Sequence, residues 1–215
     1  MAATSPLVSL SRLIASSCTM AQALVMAGLV TVDGRPAAKA GMAVAETLPI
    51  QVKAAGSPYV GRGGHKIEGA VQHFGISAAG KVCADVGSST GGFTQFLLLA
   101  GALRVYAIDV DVKQLDWKLR QDDRVIPIEK NARFLELEDL GEPVELISID
   151  VSFISLSLIL PNAASILAPG GTAAALVKPQ FEVGRERVGK GGIVRDPEDW
   201  RFALDKCIGA ASAAG

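Results

Sequence analysis

From residue 81 onward, apolar positions come in short unbroken runs separated by longer amphipathic stretches. The runs 81–86, 103–109, 124–128, 144–150 and 172–178 have strand length and are largely apolar. Strands buried on both sides read this way. Segments 65–74, 92–101, 112–120, 155–168 and 197–213 predict helices. This alternation predicts an α/β domain with a mostly parallel sheet, helices on both faces and short right-handed crossovers. Before residue 55 the pattern differs. A helix-like piece, Met20 to Ala27, stops at Gly28, and Leu29 to Gly34 looks like a hairpin turning at Asp33-Gly34. Residues 55–64, Ala-Gly-Ser-Pro-Tyr-Val-Gly-Arg-Gly-Gly, read as a linker. The expected organisation is a small α+β module at 1–54, a linker at 55–64 and an α/β domain at 65–215.

At 215 residues and 49% hydrophobic, the chain can bury one sizeable core plus a small appendage. The net charge of −1 gives no global basic field, so a nucleic-acid partner needs a local basic surface. Cys18, Cys83 and Cys207 match no disulfide framework or zinc spacing, which suits a reduced, cytoplasmic protein. Residues 1–30 mildly resemble a secretory signal but run into the Asp33-Gly34 turn without a cleavage site. Val151 to Val177 is uncharged and long enough for a bilayer, yet Pro161-Asn162 and Pro169-Gly170-Gly171 interrupt it. Neither segment predicts a membrane association.

The first strand of the α/β domain leads into Asp85-Val86-Gly87-Ser88-Ser89-Thr90-Gly91-Gly92-Phe93. A glycine-rich turn between strand and helix lets a ligand lie against bare backbone. The spacing G-x-x-x-G-G is neither the dinucleotide fingerprint nor a phosphate loop, and the turn carries no lysine. It suits a nucleoside with an amino-acid tail, and S-adenosylmethionine is that molecule. Asp109, ending the next predicted strand, can accept both hydroxyls of a ribose, which fits S-adenosylmethionine and NAD equally. Its alternative role is helix N-cap, in competition with Asp111.

Asp150 and Lys178 end adjacent, central predicted strands, and Lys66 follows the linker on the first helix. Such a cluster has two readings. One is an ion-paired brace; the other is activation of a weak hydroxyl nucleophile, with one lysine either neutral and accepting its proton or charged and stabilising its alkoxide. The turn Asp150-Val151-Ser152-Phe153 lacks the prolines usual for exocyclic-amine methylation, and no cysteine near it could serve methylation of pyrimidine C5. His65 and His73 are the only histidines, so no metal site is expected. After the fifth predicted strand, Arg185, Arg187, Lys190 and Arg195 alternate with glycines, a basic loop suited to phosphate contact, although Glu182, Glu186 and Asp196 partly cancel its charge.

With those residues in hand, the chain resembles the TlyA (hemolysin A) family of ribosomal RNA 2′-O-methyltransferases, whose catalytic domain is FtsJ-like. The resemblance lies in Arg62-Gly-Gly-His-Lys66, the glycine turn, Gln114-Leu-Asp-Trp-Lys-Leu-Arg120, Asn131-Ala-Arg133, Asp150-Val-Ser-Phe-Ile-Ser-Leu156, Leu176-Val-Lys-Pro-Gln-Phe-Glu-Val-Gly184 and Gly191-Gly-Ile-Val-Arg-Asp-Pro197. It implies a Rossmann-like methyltransferase fold, S-adenosylmethionine as cofactor, methylation of cytidine 2′-hydroxyls in ribosomal RNA or ribosomal subunits, and an amino-terminal S-four-type RNA-binding module. Lys66, Asp150 and Lys178 fall on three members of the family's Lys-Asp-Lys-Glu tetrad. The implied cofactor set is Asp85, Gly87, Ser88, Gly91, Gly92, Phe93, Asp109 and Asn131. The RNA set is Arg62, Arg185, Arg187 and Lys190.

The chain also departs from the family. The module's opening helix is reduced to Ser11-Arg12-Leu13-Ile14, its Ser-Arg pair appears as Ser17-Cys18, and Asp111-Val112-Lys113 replaces a Gly-Tyr-Gly. The tetrad glutamate and two last strands are expected beyond Gly215, leaving an exposed sheet edge. The alternative function is therefore a paralogue that binds S-adenosylmethionine or RNA with poor turnover; an NAD-dependent oxidoreductase is a more distant one. No segment reads as pore-forming.

Overall fold

The computed structural model describes residues 7–14, 18–26, 28–52, 59–61 and 63–215. The chain divides into two compact units, Met1–Pro58 and Tyr59–Gly215. The first contains β1 (Leu7–Ser9), α1 (Leu10–Ile14), α2 (Cys18–Met26), β2 (Val30–Val32), β3 (Arg35–Pro36), β4 (Ala43–Ala45) and β5 (Ile50–Val52). β1 pairs with β4, and β2 lies between β3 and β5, all antiparallel. Asp33 and Gly34 have φ of 51° and 74°. Two successive positive φ values are what a tight two-residue hairpin requires. Leu10, Leu24, Val30 and Val44 fill a small core of this unit. Ala27 and Ser17 lie outside the described residues.

The second unit contains α3 (Gly63–Phe74), β6 (Val82–Val86), α4 (Gly92–Leu99), β7 (Arg104–Asp109), α5 (Trp117–Arg120), β8 (Val125–Glu129), α6 (Leu137–Leu140), β9 (Val144–Ile149), α7 (Leu160–Ser165), β10 (Leu167–Ala175), α8 (Pro179–Glu182) and α9 (Pro197–Ala214). The sheet order is β10-β9-β6-β7-β8, with every pairing parallel. Ala84, Val86, Ile147 and Ile149 pack on one face with Ala163 and Cys207. Cys83, Val105 and Leu146 pack on the other with Ile67, Phe96 and Leu97. Both faces are covered, so the strands read as mostly apolar runs.

Four expectations change. The predicted helix 112–120 breaks, because Asp116 adopts φ −52° and ψ 137° and caps α5 by accepting from the Lys118 N–H. The predicted helix 155–168 becomes a 3-10 turn, Leu156–Leu158, and the short α7, with Pro161 in its first turn, where a missing N–H costs nothing. The strand expected at 172–178 begins at Leu167, and a register shift between Leu167 and Thr172 takes up the Pro-Gly-Gly. β10 is an edge strand among the described residues, not a central one. No described helix is long and apolar enough to cross a membrane.

Candidate active site

Chain order reverses at β6, whose neighbours are β7 on one side and β9 on the other. In a doubly wound sheet a crevice opens there, beyond the carboxyl ends of the strands. The turn after β6 is built from left-handed residues, Gly87 at φ 86°, Ser89 at 47° and Gly91 at 94°. A Cβ on Gly87 would lie 2.8 Å from the Asp150 carbonyl oxygen, so only glycine lets the two strand ends come this close.

Beneath the turn Asp85 is fully buried. Its Oδ2 accepts from the Thr94 backbone N–H at 2.8 Å and the Thr94 hydroxyl at 2.7 Å, and its Oδ1 accepts from the Ser148 hydroxyl at 3.3 Å. Burial pushes this carboxyl up to about 6, against the Thr94 hydrogen bonds that favour the anion. Asp85 thus ties β6 to α4 and is not among the residues lining the two hollows described next.

A cleft of about 470 Å³ is lined by Gly87, Ser89, Asp109, Asn131, Asp150, Val151 and Phe153, among others. At its rim the Asp109 carboxylate accepts from the Ser89 N–H at 2.8 Å and the Asp111 N–H at 3.2 Å. Asn131 caps the turn 132–134, its side-chain oxygen accepting from the Arg133 N–H at 3.0 Å. A second hollow of about 270 Å³ includes Lys66, Ser88, Gly92, Phe93 and Lys178 in its lining. The two hollows share Gly87, Ser89, Asp150 and Ser152, so Asp150 stands in the wall between them.

Asp150 holds a lysine on each oxygen. Lys178 Nζ is 2.5 Å from Oδ1 and Lys66 Nζ 3.2 Å from Oδ2. Lys178 also donates to the Ser152 hydroxyl at 2.8 Å. The Lys178 and Asp150 side chains are only 17% and 15% exposed, against 49% for Lys66. The Lys178 ammonium is therefore held by two side chains in a shielded place, and that of Lys66 reaches solvent. Lys66 owes its place to glycines. Without Cβ atoms, Gly61, Gly63 and Gly64 let the start of α3 pack on Gly92 and the Phe93 and Tyr59 rings. Residues 59–61, 63 and 64 therefore belong to the packed second unit, although they read as linker.

The structure brings Lys66, Asp150 and Lys178 together, with Gly87, Asp109 and Asn131 on the larger cleft and Ser88, Gly92 and Phe93 on the smaller. Gly91 faces neither; a Cβ there would strike Leu115 and Leu119. Arg185 and Lys190 are exposed. Arg187 is exposed too, but it pairs with Asp199 at 2.9 Å and stacks over Phe202. Arg62 lies outside the described residues.

Sequence reasoning passed over three residues. Ser152 is one. Phe153 is 92% exposed, has φ 64° and stands 5.3 Å from the Phe181 ring. A bulky residue in the left-handed region is strained and points to function. Glu182, counted as solvated loop charge, is 5% exposed. The motif stretches around Asp150 and Lys178 contained all three, but nothing local distinguished them.

The FtsJ-like methyltransferase family matches residues 59–210. YqxC of Bacillus subtilis, named as an rRNA methyltransferase, is 48% identical over 198 residues, 91% of this chain and 70% of that one. The 16S/23S rRNA (cytidine-2′-O)-methyltransferase TlyA of Mycobacterium tuberculosis is 46% identical over 187 residues, covering 86% and 70%. A solved, hemolysin-named protein of Streptococcus thermophilus superposes with a TM-score of 0.73 at 41% identity, covering 99% of this chain and 80% of that one. This chain belongs to the FtsJ-like methyltransferase family, alongside TlyA.

Proposed function

We propose that the chain transfers a methyl group from S-adenosylmethionine to a ribose 2′-hydroxyl of ribosomal RNA, with cytidine as the target nucleoside. The observation that carries this reading is the Lys66-Asp150-Lys178 cluster in the wall shared by two hollows. The relatives' names supply the RNA and the nucleoside.

The larger cleft fits the cofactor. Gly87 offers bare backbone, Asp109 offers a carboxylate for ribose hydroxyls, and the turn carries no lysine to grip a diphosphate. When bound, S-adenosylmethionine supplies an electrophilic methyl group on a sulfonium. The smaller hollow then receives the acceptor. A hydroxyl entering it meets two cations whose geometry Asp150 fixes. As its proton leaves, charge grows on the oxygen, and preorganised ammonium groups stabilise that charge. The half-exposed Lys66 opens a path for the proton to solvent. Phe153, exposed at the cleft, offers a face on which an unstacked base can lie. Arg185 and Lys190 suit the flanking phosphates. Exposed Arg12, Arg35 and Lys39 give the first unit an RNA-facing role of its own.

Calorimetry with S-adenosylmethionine and with NAD tests the cleft; tighter binding of NAD would overturn the reading. Methyl incorporation into naked ribosomal RNA and into assembled subunits tests the acceptor. Cofactor binding with no incorporation into either would leave a binding module instead of an enzyme.

A further inference from the structure

Glu182 closes α8 as a buried carboxylate whose partners all come from other segments. Its Oε1 accepts from the Leu156 N–H at 2.7 Å. Its Oε2 accepts from the Ser155 hydroxyl at 2.5 Å and lies 3.1 Å from Lys206 Nζ on α9. Lys206 also donates to the Glu182 carbonyl at 3.0 Å. One side chain thus joins the loop after β9, the helix after Lys178 and the last helix.

The same two segments meet again at their other end. Lys178, immediately before α8, reaches across to Asp150, at the start of the β9 loop. Glu182, at the end of α8, reaches back to Ser155 and Leu156, further along that loop. The α8 segment therefore gives Lys178 and Glu182 to the loop, the loop gives Asp150 in return, and a closed ring runs from Asp150 through Ser155, Glu182 and Lys178 back to Asp150. The strained Phe153 lies inside this ring and leans on Phe181, the residue before Glu182. A left-handed phenylalanine 92% exposed cannot be held by its own burial. The surrounding structure must over-determine it, and Glu182 binds the loop only two and three residues onward.

We infer that Glu182 is a positioning residue: it clasps the 151–156 loop to the Lys178 segment and so fixes Asp150, Lys178 and Phe153 relative to one another. Glutamine has the same size, but its amide nitrogen would meet a donor at the Ser155 and Lys206 side, so Glu182→Gln opens the clasp without leaving a cavity.

The inference rests on the methyl-transfer reading only for its catalytic readout, so the test has a second arm independent of activity. In the full chain, hydrogen exchange of Glu182→Gln should show protection lost over residues 151–158 and retained in β6 and β7. In the kinetic arm, kcat should fall at least about tenfold, because small displacements of reacting groups are costly. KM for S-adenosylmethionine should rise by less than kcat falls, since Gly87, Asp109 and Asn131 lie outside the clasp although Val151 and Phe153 of the loop also line the cleft. Losses from Glu182→Gln and Phe153→Ala should be sub-additive, as for residues acting through one loop. Unchanged exchange in the loop, an unaltered kcat, equal damage to kcat and KM, or additive losses would each overturn the positioning role. Should Glu182→Gln fail to fold, Ser155→Ala removes one donor at the surface of the same clasp and faces the same exchange criterion. A wild-type chain without methyl transfer would sink the parent reading and leave the exchange result to decide the clasp.

Discussion

Replacing Lys178 by methionine keeps most of the side-chain volume and deletes one charge. The Nζ lies 2.5 Å from Asp150 Oδ1 and 2.8 Å from the Ser152 hydroxyl, at 17% exposure. If it faces the developing oxyanion at about 4 Å in a half-screened site of effective dielectric about 20, the lost attraction is about 4 kcal/mol. That corresponds to a rate loss of about a thousandfold. The effect on folding should be smaller. Removing one partner of a buried pair commonly costs about 3–5 kcal/mol, because a charge is left alone. Here Lys66 still holds the other oxygen at 3.2 Å, so a cost of about 1–2 kcal/mol is expected. The assays are single-turnover methyl transfer to ribosomal RNA, calorimetric S-adenosylmethionine binding and urea unfolding. A fall of about 10³-fold in rate with cofactor affinity within a few-fold is the expected pattern. A rate within tenfold of wild type, or an equal loss of rate and cofactor affinity, would refute the assignment and make Lys178 an architectural residue.

Three further outcomes follow from the same geometry. Gly87→Ala places a methyl 2.8 Å from the Asp150 carbonyl at φ 86°, so calorimetry should show cofactor affinity falling by tenfold or more, on the order of 1–3 kcal/mol; unchanged affinity would mean that the ligand does not lie on this turn. Phe153→Ala removes a ring that is almost wholly exposed, so the unfolding free energy from urea titration should change by less than about 0.5 kcal/mol while KM for RNA rises; a large loss of stability would make the ring structural. Asp85, raised to about 6 by burial, holds a proton in the folded state that the unfolded chain releases near its ordinary value of 3.8. Its contribution to stability therefore falls as pH rises from about 4 to about 6 and is flat above, by at most about 3 kcal/mol. Asp85→Asn should remove that downward slope from the urea midpoint plotted against pH, and parallel plots for the two proteins would contradict the burial argument.

Much of the fold was legible because two-sided burial writes itself into sequence. β6, β7 and β9 are largely apolar since helices cover both faces. The glycine turn was legible because left-handed backbone at Gly87 and Gly91 restricts the residue type. Asp150 and Lys178 could be paired because parallel strands deliver their ends to one edge. Lys66 was legible only through its glycine-flanked motif, and the reason for those glycines, the packing of α3 on Gly92, needed coordinates. Elsewhere local pattern misled. Segment 155–168 has helical composition, but Pro161 and the Pro-Gly-Gly leave room only for a short helix before the chain extends. Glu182 looked like one acidic residue cancelling basic neighbours. Its partners lie 26, 27 and 24 positions away, a separation no periodicity reveals. Asp85 shows the same limit from the other side: its hydrogen bonds to Thr94 and Ser148, nine and 63 positions away, could not be read from its place at the end of a strand.

The central claim is that the Lys66-Asp150-Lys178 cluster activates a ribose hydroxyl, and the position of the transferred methyl tests it most directly. Ribosomal RNA incubated with the purified chain and isotopically labelled S-adenosylmethionine should be digested to nucleosides and resolved by mass spectrometry. The expected product is labelled 2′-O-methylcytidine, absent when Lys178 is replaced by methionine. Label on a base, or the same product at full rate from the Lys178→Met chain, would contradict the account.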